Sequence, residues 1–220
     1  MNKFRGLSCV LVVILIPILV LTLGQNLVFR LPDAYLYHFN ESQCVDRLYI
    51  STSNSQMADA IAEYMNSFDG ELFQVEEDTG YDKIGIFDSR DSYNMAVLKR
   101  MVNMSGILTI VSAVLLGAIY FMFIGNDEKE TLRKLFRVGA GITLGLIPIQ
   151  SILTVTPAVR NGIFRFYGMR SFGEKSNLMI IMGDDFWSVF MWFLTGLTLI
   201  VLAVTWYIHY RATRPPRIFY

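Results

Sequence analysis

Histidine is nearly missing from this chain, which has only His38 and His209. No histidine or cysteine pair stands at metal-ligand spacing, so the motifs exclude a metal centre, and no cofactor is expected. Cysteine is as scarce. Cys9 lies in an apolar run and Cys44 in a polar stretch, so the two cannot found a disulfide framework. Net charge is absent as well, because nineteen basic residues balance nineteen acidic ones. Such a chain has no overall field to recruit nucleic acid, which is set aside as a partner. Neither a glycine-rich phosphate loop nor a nucleophile elbow occurs, which removes the commonest signatures of soluble enzymes.

Apolar residues, in contrast, make up 53% of the 220 positions, a high share for a soluble protein. Four runs can cross roughly 30 Å of hydrocarbon, which takes about 20 apolar residues in a helix. They are Leu7–Val28, Ile107–Ile124, Val138–Val155 and Val189–Tyr210. The first resembles a signal peptide in having Lys3 and Arg5 before it. Its apolar stretch exceeds the typical core of about 7–15 residues, so a retained helix is expected.

Basic residues crowd the short flanks of these runs. Lys3 and Arg5 precede the first, Lys129, Arg133, Lys134 and Arg137 separate the second and third, and Arg211, Arg214 and Arg217 follow the fourth. The positive-inside rule assigns these flanks, and both termini, to the cytoplasm. Trp187, Trp192, Trp206 and Tyr207 bracket the last run as an aromatic belt would. The third run carries Gly139, Gly141, Gly145 and Pro148, a pattern suited to close helix packing and a tolerated proline.

Between the first two runs the pattern turns polar and irregular. Ala34–Phe39, Asp46–Ser51, Gly70–Glu77 and Asp82–Phe87 have strand composition, with turn residues between them. Ser53 and Gln56 stand at capping-box spacing ahead of Met57, Ile61, Tyr64, Met65 and Phe68, which share one helical face. The expected fold is therefore an integral membrane α-helical bundle of four transmembrane helices with a small extracytoplasmic β-rich (α+β) lobe. Its expected divisions are residues 1–29 for the first helix, 30–103 for the lobe and 104–155 for the next two helices. A second outer loop, 156–188, and the last helix with its tail, 189–220, complete them.

Two polar segments face outward, and they carry the most specific signal. The first, IFDSRDSYNMAVLK, precedes the second helix; the other, FRFYGMRSFGEKSNLMIIMGDDFW, precedes the fourth. With four helices and an outward lobe, they resemble the lipoprotein intramolecular transacylase family of Gram-positive bacteria. That family shows a run like LFxxREIxHMxDVK before its second helix. Here Ile86, Phe87, Arg90, Met95 and Lys99 keep the register, Asp91 supplies the acid, Asn94 replaces the histidine and Val97 the aspartate. In the second segment Tyr167 stands at the family's other histidine, Ser176 at its aspartate and Gly183 at its proline, while Leu178, Phe186 and Trp187 match.

The resemblance implies a multi-pass protein of the bacterial cell membrane whose partner is a membrane lipid or a diacylated lipoprotein. Family chemistry moves an acyl chain from the lipoprotein glycerol to the amine of its N-terminal cysteine, which needs a base and oxyanion donors. Asparagine accepts no proton at neutral pH, and tyrosine is a poor base. The implied site has Asn94, Tyr167 and Asp91 at the catalytic positions, with Arg90, Lys99, Arg165 and Arg170 as substrate-binding groups. Lys99 and Arg100 also suit a simple anchoring role at the headgroups. A relative that binds without catalysis, or with altered chemistry, is the first expectation. An active acyltransferase, with Asp91, Tyr167 or His38 as base, is the alternative. Weaker alternatives are an accessory subunit with a membrane-protein partner, and a small transporter, which lacks any mid-helix ionisable group for coupling.

Overall fold

The computed structural model describes residues 3–67, 70–78, 83–173 and 176–214. It is dominated by helices: α1 (Lys3–Arg30), α2 (Pro32–Ser42), α3 (Asn54–Asn66), α4 (Ser89–Gly125), α5 (Lys129–Val155), α6 (Pro157–Phe166), α7 (Asn177–Ile181) and α8 (Asp184–Thr213). Four of them, α1, α4, α5 and α8, are long and apolar enough to span a bilayer. At 37 residues α4 is about 55 Å long, well beyond what a crossing requires. Its polar opening turns belong to the same continuous helix as its apolar remainder.

The chain divides into two compact units. One holds the residues up to Gln25, Ser105–Gln150 and the residues from Thr195 onward. Its core is Val12, Ile16, Val20, Leu116, Phe123, Leu132, Phe136, Ala140, Val201 and Leu202. Helices in lipid gain little from hydrophobic burial and associate through close packing, for which small residues are needed. A side chain at Gly24 would strike Thr198, and one at Gly139 would meet Ile16 at 3.0 Å. Gly141 and Gly145 border open space, so Gly139 alone among the three packs as the sequence pattern suggests.

The other unit comprises Asn26–Met104 and Ser151–Leu194. Buried aromatic rings form its centre: Phe29 and Phe190 lie 4.4 Å apart, and Tyr35 stacks on Phe186 at 5.8 Å. A second cluster joins Tyr64, Phe73 and Phe87 at 4.9–5.1 Å. Helix α3 begins with the expected capping box. The Ser53 hydroxyl accepts from the Gln56 N–H at 3.3 Å, and the Gln56 side chain accepts the Ser53 N–H at 2.9 Å. Its buried face is Met57, Ile61, Tyr64 and Met65 as anticipated; Phe68 lies outside the described residues.

The expected β-rich lobe is mostly helical in the described residues and keeps only two short strands. Among the described residues the only strands are β1 (Glu76–Asp78) and β2 (Lys83–Gly85), an antiparallel pair. Ala34–Phe39 belongs to α2, where Ala34, Tyr35, His38 and Phe39 are buried together, an i, i+1, i+4, i+5 spacing that only a helix produces. Pro32 at the first helical position was the signal against a strand. Asp46–Leu48 is a short 3-10 turn, and of the Gly70–Glu77 expectation only the last two residues are extended and paired. Asp82 and Arg217 lie outside the described residues. Two further corrections follow from burial. Trp187 is 6% exposed and is a core residue rather than a belt residue, its indole N–H donating to the Met182 carbonyl at 3.1 Å. The basic residues expected in a loop between the second and third spans lie on α5 instead.

Candidate functional site

The opening segment folds as a helix start because Asp88 caps it. One carboxylate oxygen of Asp88 accepts the N–H groups of Arg90 and Asp91 at 2.8 and 2.7 Å. That fixes the first turn of α4 and turns Asp91 and Asn94, three residues apart, toward the same neighbours.

Those neighbours belong to the second polar segment. Asn94, fully buried, donates its side-chain N–H to the Arg170 carbonyl at 3.0 Å and accepts the Arg170 N–H on its oxygen at 2.9 Å. Asp91, 1% exposed, accepts the Ser176 hydroxyl at 2.6 Å and the Leu178 N–H at 3.1 Å. Asn177 adds a bond from its amide to the Ile86 carbonyl at 2.6 Å. Asp91 and Asn94, expected at catalytic positions, thus form from the first turns of α4 a hydrogen-bonded clamp on the stretch before α8.

Arg170 is held by its side chain as well, with its guanidinium 4.4 Å from the Tyr93 ring. The turn leading to it is a Schellman motif at the end of α6. The Gly168 N–H reaches the Arg165 carbonyl at 3.0 Å and the Met169 N–H the Phe164 carbonyl at 2.9 Å. Gly168 sits at φ +95°, where a side chain is strained. Behind this turn lies a cavity of about 200 Å³ whose walls include Phe164, Arg165, Met169, Arg170, Phe172 and Met179. Asn161 and Ser171 also line it, and among the described residues the lining holds two cations and no histidine or carboxylate.

The other expected residues fall differently. Tyr167, at the end of α6, is 40% exposed and does not line the cavity. Arg90 is exposed, with its guanidinium 3.8 Å from where a side chain on Gly173 would begin. Lys99 is buried within the protein: it is 6% exposed, donates to the Ser67 hydroxyl at 2.8 Å and lies 4.2 Å over the Tyr64 ring.

A second cavity, of about 270 Å³, contains His38, Ser42, Cys44, Arg47, Asp184 and Asp185 among its lining residues. Burial lowers the His38 pKa below its usual 6.5, opposed by the Asp185 charge, so the ring is neutral at pH 7. Burial raises the Cys44 pKa, which keeps the thiol protonated and unreactive. Beside it, Arg160 and Asp184 form an ion pair that the sequence reading missed. Arg160 is 6% exposed, and its guanidinium lies 5.2 Å from the Trp187 ring. The available signal was Pro157, which opens a helix and puts Arg160 on its first turn.

Four spanning helices and two clamped polar segments make this a multi-pass membrane protein with the fold of a membrane-integral lipoprotein intramolecular transacylase. The likeness is to Lit from Bacillus cereus, whose structure aligns at a TM-score of 0.66 and 11% identity over 94% of this chain and 97% of that one. Two structures of the same protein with a single histidine replaced, by arginine or by alanine, align at TM-scores of 0.67 and 12% identity over 93% of this chain. They are covered to 93% and 94% of their own length. At these identities the likeness establishes the fold. No protein-family model matches the chain, and no curated protein does.

Proposed function

We propose that this chain is a divergent member of the lipoprotein intramolecular transacylase family that binds a lipid or a lipid-modified protein at the outer membrane face without the family's acyl shift. The observation that carries this reading is the state of Asn94. Where the resembling motif has a histidine, both polar ends of this amide are spent on the Arg170 backbone. An amide takes no proton from an amine at neutral pH, and this one spends its oxygen and an N–H on the backbone instead of on a reacting group.

Binding has better support than chemistry. Arg165 and Arg170 offer planar, permanently charged donors suited to phosphate or carboxylate oxygens. The rings and thioethers of Phe164, Phe172, Met169 and Met179 suit the glycerol and first methylenes of an acylated group. The protein should therefore retain an added diacylated lipopeptide in mild detergent, and Arg165→Gln/Arg170→Gln should retain less of it. Equal retention by both forms, read by mass spectrometry of the extracted lipopeptide, contradicts the reading.

An active acyltransferase remains the second reading, favoured by the His38 cavity. There a neutral imidazole would accept the proton as an amine nitrogen bonds to the ester carbonyl carbon. The C–O bond to glycerol then breaks, and the proton passes to the departing alkoxide. Acyl transfer that disappears in His38→Gln would establish this reading over the first.

A further inference from the structure

We propose that the pocket between the first turns of α5 and the last turns of α8 is a binding site for the phosphate of an anionic phospholipid, separate from the outer cavity. This pocket, of about 210 Å³, contains Arg133, Arg137, Arg214, Phe136, Trp206 and His209 among its lining residues, with Tyr210 and Thr213 completing it. Three guanidiniums and, among the described residues, no carboxylate line it. Two neighbouring cations already have acidic partners, Arg5 with Glu128 at 3.1 Å and Lys134 with Glu130 at 2.9 Å. Among the described residues no carboxylate forms an ion pair with Arg133, Arg137 or Arg214.

The floor of the pocket is built in advance. Phe136 and His209 stack with ring centres 4.0 Å apart and planes within 6°, and the edge of Trp206 meets Phe136 at 5.5 Å. A hydrogen bond of 2.8 Å between the Tyr120 hydroxyl and His209 Nδ1 fixes that stack. Arg133 is tied by a hydrogen bond to the Thr213 carbonyl, which holds one guanidinium at the rim. A positive-inside bias alone would leave arginines splayed in water. Here they converge on a preformed concavity with aromatic walls, and basic pockets between transmembrane helices are suited to anionic headgroups.

The lipid source is favoured over a free anion by what surrounds the arginines. Trp206 and Tyr210 are each about half exposed, and their neighbours on α8, Val204 and Ile208, are exposed as well. On α5 the corresponding exposed residues are Val138 and Ile142. An acyl chain can lie along this apolar surface while its phosphate meets the guanidiniums; a soluble phosphate gains nothing from it.

The test uses the full-length protein in detergent, in the Arg165→Gln/Arg170→Gln background so that the outer cavity does not contribute. Binding of phosphatidylglycerol, phosphatidylcholine and inorganic phosphate is compared by native mass spectrometry and by thermal shift. Phosphatidylglycerol should bind and phosphatidylcholine should not. Each of Arg137→Gln and Arg214→Gln should weaken binding roughly fivefold, whereas Arg137→Lys and Lys134→Gln should retain it. Equal binding of both lipids, or full affinity in Arg137→Gln/Arg214→Gln, overturns the site. Displacement of phosphatidylglycerol by equimolar inorganic phosphate overturns the assignment to a lipid.

Discussion

The Asn94 side chain and the Arg170 main chain are bonded in both directions, at 3.0 and 2.9 Å, with the amide fully buried. One side chain on α4 thereby sets the backbone of the stretch whose Arg170 guanidinium, with that of Arg165, lines the cavity of about 200 Å³. With Asp91 holding Ser176 and Leu178, the two polar segments act as one body.

Truncating this clamp should be costly. Asn94→Ala removes both hydrogen bonds to the Arg170 backbone, a loss of roughly 1–3 kcal/mol. Asn94→His should also destabilise, because a larger ring must enter a site with no exposed surface, and it should not confer acyl transfer. Thermal unfolding in detergent, with lipoprotein acylation assayed in parallel, measures both.

Ser176 has two tasks, bonding Asp91 and accepting the Met179 N–H at 3.1 Å as the cap of α7. Ser176→Ala should cost about 1–2 kcal/mol, and Ser176→Thr should recover most of it. A variant midpoint equal to wild type would contradict the clamp's contribution.

Helix packing separates two glycines that look alike in sequence. Gly139→Leu must displace Ile16 and should lower stability by about 1–3 kcal/mol, whereas Gly145→Leu faces open space and should be near neutral. Parallel unfolding curves of the two variants decide this.

His38 predicts a pH dependence of stability. Its folded pKa is lowered by burial, so between that value and the unfolded value near 6.5 the unfolded chain binds more protons. Its stabilising contribution is therefore full above about pH 6.5 and is lost as pH falls toward the folded value. His38→Gln should flatten this part of the curve. An unchanged pH profile in that variant would show that the ring does not titrate as described.

Much of the architecture was legible because its signals are local. Four apolar runs mark the spans, Ser53 and Gln56 announce α3, and the two polar segments flagged by motif are the ones that meet. Other features depended on tertiary context. AYLYHF has the composition of a strand, and only Pro32 before it and the one-sided burial of Tyr35, His38 and Phe39 reveal the helix. Lys99 looked like an interfacial anchor because it stands at the edge of an apolar run. Its capture by Ser67 and Tyr64 depends on contacts 32 and 35 positions away, which no local pattern contains. The clamp at Asn94 was out of reach for the same reason, since an asparagine in place of a histidine shows that a base is gone and says nothing of what the amide binds.

The most direct measurement is the acylation state of lipoprotein N-termini, read by mass spectrometry in bacteria that express the protein and in matched bacteria that do not. The account predicts identical acyl patterns in both, together with diacylated lipopeptide retained by the purified protein through Arg165 and Arg170. An acyl chain newly found on the α-amine of the N-terminal cysteine, dependent on this protein, would contradict it.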